Sequence, residues 1–171
     1  MNKITHRTLA RAITLSSILL LALTWHASTY AQTEPQQAIN FTLKSHINKN
    51  IKLSELRGQV ILLGFWSTQC GKCIQQLGIL KKYSTAYKSQ NFTSLAINID
   101  DMSSAFHIAN KNNLQFPVLF DDRDVSRLYK ISEIPEYYLI DRDGKIRHIL
   151  NAEQLAQHTQ TQSLIRDLLN E

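Results

Sequence analysis

A central β-sheet with helices on both sides, entered through a short N-terminal β-hairpin, is the α/β fold this 171-residue sequence predicts. Three observations carry the prediction. Apolar runs of strand length alternate with stretches of helical periodicity from Ile39 onward. The run VILLGFW, Val60 to Trp66, has no polar side chain, as a central strand covered on both faces requires. Towards the C-terminus two strand-like segments meet at Asp143-Gly144, which makes them an antiparallel hairpin and the sheet a mixed one.

Element by element, INFTLK (Ile39 to Lys44) sets Ile39, Phe41 and Leu43 on one face of a half-buried strand. Asn48-Lys49-Asn50 turns it into a second short strand around Ile51 to Leu53, and Ser54 to Gly58 forms a tight turn before the central strand. From Cys73 to Lys88, Ile74, Leu77, Leu80, Tyr83 (or Ser84) and Tyr87 recur at helical spacing, so a long amphipathic helix begins at the cysteines. Phe92 to Ile99 is a strand, and Asp100 or Asp101 caps a helix over Met102 to Asn113. Pro117 to Asp121 is a strand and Val125 to Tyr129 a short helix. Glu136 to Asp141 and Lys145 to Leu150 make the hairpin. Leu164, Ile165, Leu168 and Leu169 mark one closing helix within Ala152 to Asn170. The sequence shows no internal repeat and no second domain.

The first 31 residues are of another kind. Lys3, Arg7 and Arg11 precede an apolar stretch, Ile13 to Leu23, and Thr29-Tyr30-Ala31 ends in the small residues of a cleavage site, the layout of a secretory signal peptide. The apolar stretch is shorter than the roughly 18 residues of a membrane span; read on to Trp25, it leaves an uncleaved signal anchor open. The expected organisation is a signal peptide over 1–31, a polar leader over 32–38 and a domain over 39–171. No cysteine lies near the cleavage region, which argues against a lipid anchor. The signal segment has three basic and no acidic residues and so holds three of the five net positive charges. What remains shows no nucleic-acid footprint. Export places the domain in the periplasm or on the outer face of the cell membrane, where disulfides persist.

Compartment matters because both cysteines stand together in FWSTQCGKC, as Cys70-Gly71-Lys72-Cys73. A metal clip, a staple and a redox couple compete to explain them. Zinc needs two further ligands, and His46, His107, His148 and His158 show no ligand-like pairing. As a staple, the pair closes a loop worth about 2 kcal/mol, against about 3 for a 15-residue loop. The redox reading has a positive mechanism: Cys70 lies where a strand gives way to a helix, and the helix N–H groups and dipole favour the attacking thiolate. Lys72 adds about 0.6 kcal/mol in water, or about 2.4 at an effective dielectric of 20, at a separation of about 7 Å. A lysine pointing into solvent stays near the lower figure. Cys70 is then the nucleophile and Cys73, buried one turn further on, the resolving thiol. The disulfide is itself the redox group, and neither a metal nor an organic cofactor is expected.

At these residues the chain resembles the thioredoxin superfamily, and within it the TlpA/ResA/DsbE-like proteins that face the periplasm or the outside of the cell membrane. The resemblance runs from about Phe41 to Leu150. It rests on LSELRGQVILLGFWSTQCGKC, with its Phe-Trp strand end, small polar pair and Cys-x-x-Cys, and on ISEIPEYYLIDRDGKI, with its Ile-Pro segment, Leu-Ile-Asp strand and Asp-Gly turn. It implies a thioredoxin-like fold and a thiol-disulfide oxidoreductase in which Cys70 attacks and Cys73 resolves. It also implies that Pro135 is cis and packs against the disulfide, and that the Ile134 backbone pairs with an extended client. Trp66, Gln69, Gly71 and Lys72 then surround the sulfurs. Glu136 matches the Glu of the Pro-Glu-Thr in DsbE-like proteins, with a role in proton movement near Cys73 or a structural one. The implied partners are disulfide-containing exported proteins, apocytochromes c among them, and a membrane dithiol that supplies electrons to a monomer.

Four departures stand beside the match. Gln69 replaces a common Trp, Gly64 a buried Asp or Asn, Gln76 a Glu found in several reductases, and Gly78 a helix-kinking Pro. They leave the dithiol but remove the usual acceptor for the resolving thiol's proton, so a water molecule is the expected carrier. Asp121, Asp122 and Asp124 are read as capping the following helix rather than holding a cation. Trp66 is read as both core and active-site wall, and His107 and His148 as surface residues. A thiol peroxidase would show Pro-x-x-x-Thr-x-x-Cys, which meets Leu63 and Ser67 here. A non-catalytic binding module is the other alternative.

Overall fold

Alternation in INFTLK has the consequence it should: Phe41 and Leu43 are buried while Thr42 and Lys44 face solvent. In the computed structural model, which describes residues 34–171, this segment contributes β1 (Thr42–Lys44), paired antiparallel with β2 (Asn50–Lys52). The first strand is shorter than its alternation suggests because Ile39 and Phe41 bond elsewhere. The Tyr129 hydroxyl donates to the Ile39 carbonyl at 2.9 Å, and Leu53 N–H donates to that of Phe41 at 3.0 Å. A 3₁₀ turn, Leu53–Leu56, leads to the central strand β3 (Val60–Trp66). The expected signal peptide and the first leader residues lie outside the described residues.

All seven residues of β3 are buried. It pairs in parallel with β4 (Phe92–Asn98) and antiparallel with β6 (Glu136–Ile140); β5 (Val118–Phe120) and β7 (Ile146–Asn151) complete a sheet of order β5-β4-β3-β6-β7. The helices are α1 (Gly71–Ala86), α2 (Met102–Lys111), α3 (Val125–Leu128), α4 (Ala152–Ala156) and α5 (His158–Leu169). Period-two alternation sorts the strands onto two cores. Leu62, Trp66, Tyr137 and Leu139 pack with α1, α2, α4 and α5; Ile61, Leu63, Phe65, Tyr138 and Ile140 pack with α3 and the N-terminal segment. That segment crosses its face from edge to edge, with isolated bridges at Gln37–Lys145, just before β7, and at Ser45–Leu119, within β5. Among the described residues no helix is long and apolar enough to cross a membrane.

One expectation needs correction. The tail is two helices, not one. Asn151 caps α4 in a capping box with Gln154, and the helix stops because the Thr161 hydroxyl binds the Gln154 carbonyl at 3.0 Å and starts the packing of α5. Of the two acids expected at the head of α2, Asp101 is the cap, accepting Ser104 N–H at 2.6 Å. The helix expected from Cys73 begins two residues earlier, at Gly71, because Cys70 itself takes the N-cap position.

Candidate active site

Where the apolar run of β3 ends at Trp66, three polar residues turn the chain into α1. Cys70 is its N-cap, with extended backbone, and the Cys73 N–H points at the Cys70 sulfur at 3.1 Å. This is one of the helix N–H groups without an intrahelical partner. A disulfide joins Cys70 to Cys73. Cys70 is partly exposed and Cys73 only 1 % exposed, so one sulfur can be reached from solvent and the other cannot.

The loop before Cys70 is anchored from the neighbouring strand. Asp100, just past β4, accepts from the Ser67 hydroxyl at 2.8 Å, the Thr68 hydroxyl at 2.7 Å and the Thr68 N–H at 3.0 Å. The Asn98 amide donates to its other oxygen at 2.6 Å. Partial burial raises the pKa of this carboxyl, but the hydrogen bonds from Thr68, Ser67 and Asn98 outweigh it and hold the group well below the usual carboxylate range.

The Cys73 side is built differently. Cys73 lies in the helix-side core with Trp66, Leu77, Leu80 and Tyr137. Gly64, where an acid would serve the resolving thiol, stands directly opposite Tyr137 on β6, and the tyrosine ring occupies the space over it. A Cβ on Gly64 would meet two ring carbons at 2.7 Å. Burial pushes the Tyr137 phenol far above its ordinary value, so it stays protonated and supplies no base. Gln76 is buried, with its amide donating to the Ala152 carbonyl at 3.2 Å. Its Oε1 and the Trp66 Nε1 have no hydrogen-bond partner among the described residues.

Across from the cysteines, the Ile134–Pro135 peptide is cis. Ile134 and Pro135 line a cleft of about 190 Å³ with Lys72, Glu133 and Glu153. A partly exposed cysteine at a helix N-terminus, bonded to a buried one and sharing a core with Ile134, can accept a thiol attack and pass through a mixed disulfide. A family profile described as AhpC/TSA matches residues 35–149. The chain belongs to the AhpC/TSA family.

This AhpC/TSA-family chain is 32 % identical over 140 residues to the thiol-disulfide oxidoreductase ResA of Bacillus subtilis, covering 81 % of itself and 75 % of ResA. To the thioredoxin-like protein YneN of the same organism it is 30 % identical over 151 residues, covering 79 % of itself and 87 % of YneN. Among solved structures it matches one described as a thiol:disulfide interchange protein DsbE from Chlorobium tepidum, with a TM-score of 0.69 and 28 % identity over 77 % of this chain and 97 % of that one. The fold is thioredoxin-like, and the protein is a ResA/DsbE-like thiol-disulfide oxidoreductase.

Residue by residue, the family chain brings Trp66, Cys70, Cys73 and Ile134 onto one core, with Gly71, Lys72 and Gln69 exposed at the surface above it. Lys72 reaches towards Glu153 on α4, 3.8 Å away, with both groups largely in solvent. The Glu136 carboxylate accepts from the Tyr138 hydroxyl; Tyr138 packs in the Phe65 core, on the sheet face opposite Cys73. Helix α1 runs unbroken through Gly78, which is exposed.

Asp121 caps α3 through Val125 N–H at 2.7 Å and Ser126 N–H at 2.8 Å, Asp124 pairs with Arg127, and Asp122 lies 3.8 Å from Arg123. His46 accepts the Val118 N–H at 3.1 Å and its pKa is lowered by burial, His148 is lowered likewise, and His158 bonds the Tyr83 hydroxyl at 3.2 Å. His107 is exposed. No group of three or more metal-ligating side chains occurs among the described residues. Asp100 and Tyr137 are the two residues sequence reasoning did not place in the site. Each acts across strands, and the only local hint is the small polar pair Ser67-Thr68.

Proposed function

We propose that the protein works outside the cytoplasm as a reductase of disulfides in exported proteins, with apocytochromes c among its clients and a membrane dithiol as electron donor. The observation that carries this is the division between the two sulfurs, one reachable and one buried, at the head of α1. The Cys70 thiolate attacks a client disulfide, forming a Cys70–client bond and releasing the client's other sulfur as a thiolate that takes up a proton. Cys73, deprotonated, then attacks the Cys70 sulfur, and the second client thiol leaves. The client gains two electrons and the protein ends as the Cys70–Cys73 disulfide, which the donor dithiol reduces by the reverse exchange. The disulfide is the only redox group in this scheme, and neither a metal, nor nucleic acid, nor a second subunit takes part. The basic and apolar N-terminal segment supports export, either cleaved or kept as an anchor.

The test is the reduction potential of the pair, by equilibration against glutathione and dithiothreitol with thiol alkylation. A value near or below about −250 mV supports the reductase direction; one between about −120 and −180 mV overturns it in favour of an oxidant or isomerase. Client binding that survives replacement of both cysteines by serine, with no cycling in the parent, points instead to a binding module. Peroxide consumption that depends on Cys70 points to a thiol peroxidase, although Leu63 and Ser67 stand where such an enzyme has Pro and Thr.

A further inference from the structure

Four consecutive residues, Ser67 to Cys70, are bonded into one chain that begins at the Asp100 carboxylate. The carboxylate takes both hydroxyls of Ser67 and Thr68 and the Thr68 N–H. The Ser67 hydroxyl, its hydrogen committed to Asp100, accepts the Gln69 N–H at 3.1 Å. Cys70 N–H then donates to the Ser67 carbonyl at 3.2 Å. With Asn98 donating as well, four groups converge on the side chain and every one is a donor. Only a group that accepts at both oxygens meets them all, and an ionised carboxylate is such a group.

We propose that Asp100 is a positioning residue for thiol-disulfide exchange: it fixes the Ser67–Gln69 loop so that the Cys70 sulfur stays against the N-terminal N–H groups of α1. Asp100 touches no reacting atom and acts through the loop. The role rests on the reading of Cys70 as the attacking thiol.

Geometry and charge give Asp100 effects of opposite sign, which makes the role separable. Holding the sulfur at the helix N-terminus favours the thiolate, whereas a fixed negative charge nearby disfavours it. The other charged groups at this end of the fold are Lys72 beside the cysteines on α1, its partner Glu153 on α4, Glu133, which lines a cleft with Lys72, and Asp101, which follows Asp100 and caps α2. None changes in the variants below, so they cancel in the comparison.

The measurement is the pH profile of iodoacetamide alkylation in the reduced protein, read by mass spectrometry at each cysteine. Asp100→Ala loses both the bonds and the charge. It is expected to slow Cys70 alkylation at pH 7 by up to roughly threefold and to move the profile up by about half a pH unit. Asp100→Asn loses the charge and the oxygen that accepts from Asn98, but its remaining oxygen can still accept from Ser67 and Thr68, and it is expected to stay at the parent profile or just below it. Thr68→Val keeps the charge and loses one bond, and should move the profile up by less than Asp100→Ala. Equal downward shifts in both Asp100 variants assign the residue a charge effect only and overturn the proposal, as does a set of unmoved profiles. If Asp100→Ala does not fold, Thr68→Val decides: an upward shift supports positioning and an unmoved profile overturns it. Alkylation of the parent at Cys73 rather than Cys70 overturns the nucleophile assignment itself, and the positioning role with it.

Discussion

The two cysteines sit three residues apart in surroundings of opposite kind. Cys70 ends a polar loop in which nearly every donor is matched, anchored on an ionised carboxylate. Cys73 lies in an apolar core beside aromatic rings, with a glycine under the Tyr137 ring and with the buried Trp66 Nε1 and Gln76 Oε1 lacking partners among the described residues. Polar bonding of this density fixes position at the cost of ordering a loop, while apolar packing fixes position but offers a leaving proton nothing to go to. Attack is therefore well provided for, and resolution is the step with the fewest local aids.

The comparison breaks most visibly if the cysteines are exchanged for serine one at a time. Cys70→Ser removes the reachable sulfur, and disulfide exchange should fall by at least about a thousandfold, to the background of the assay. Cys73→Ser keeps attack and should accumulate a mixed disulfide with client, visible on a non-reducing gel. Equal loss in both variants, with no mixed disulfide in either, contradicts the division of labour.

Next in size is the Gly64–Tyr137 contact. Gly64→Asp drives a Cβ into a buried ring and adds a carboxylate to an apolar core, so it should destabilise by at least about 3 kcal/mol in urea denaturation. Gly64→Ala should cost about 1–3 kcal/mol from the overlap alone. In Gly64→Ala/Tyr137→Val the ring is gone, and the double variant should lose less than the two single changes together. Additive losses show that the glycine and the tyrosine do not share one space.

How much of this was legible in the sequence depends on the range over which each feature is decided. The central strand, the closing hairpin and the helix at the cysteines follow from runs and periods within a few residues, as the all-buried β3 illustrates. The capping box of Asn151 and Gln154 was equally local and could have shown that α4 starts there. Its end could not be read, because no Gly or Pro marks Gln157 and the stop is set by the Thr161 hydroxyl. The choice between Asp100 and Asp101 is of the long-range kind. Both are acids at a helix start, and only the arrival of Ser67 and Thr68 beside β4 draws Asp100 away and leaves Asp101 to cap. Tyr137 over Gly64 is likewise a cross-strand pairing that neither residue announces by itself.

Acid sharpens the Cys70 side by a smaller amount. The Asp100 carboxyl has a lower pKa folded than the value near 3.9 of an unfolded chain, so its contribution to stability is present above about pH 4 and is lost as pH falls through the folded value. The parent and Asp100→Asn should therefore differ by a constant margin between pH 5 and 7, which shrinks below about pH 4. Because the group is mostly in solvent, screening keeps that margin to about 1 kcal/mol or less. A margin that instead grows on acidification reverses the sign and contradicts the ionised anchor.

The smallest effect concerns Lys72, whose charge would favour the Cys70 thiolate if nothing opposed it. Glu153 stands 3.8 Å from its ammonium, and both are exposed enough that the pair is worth roughly 0.2–0.5 kcal/mol. Glu153→Gln removes a negative charge near the sulfurs and frees the lysine, and both changes stabilise the reduced, thiolate-bearing form. The couple should become more oxidising. At about 30 mV per 1.4 kcal/mol for two electrons, the shift is roughly 5–10 mV, and it should disappear in about 1 M salt, where exposed charges are screened within about 3 Å. A shift several times larger, or one that survives high salt, places Lys72 closer to the sulfur than its exposed position allows, and moves part of the thiolate's stabilisation from the loop and helix to this one side chain.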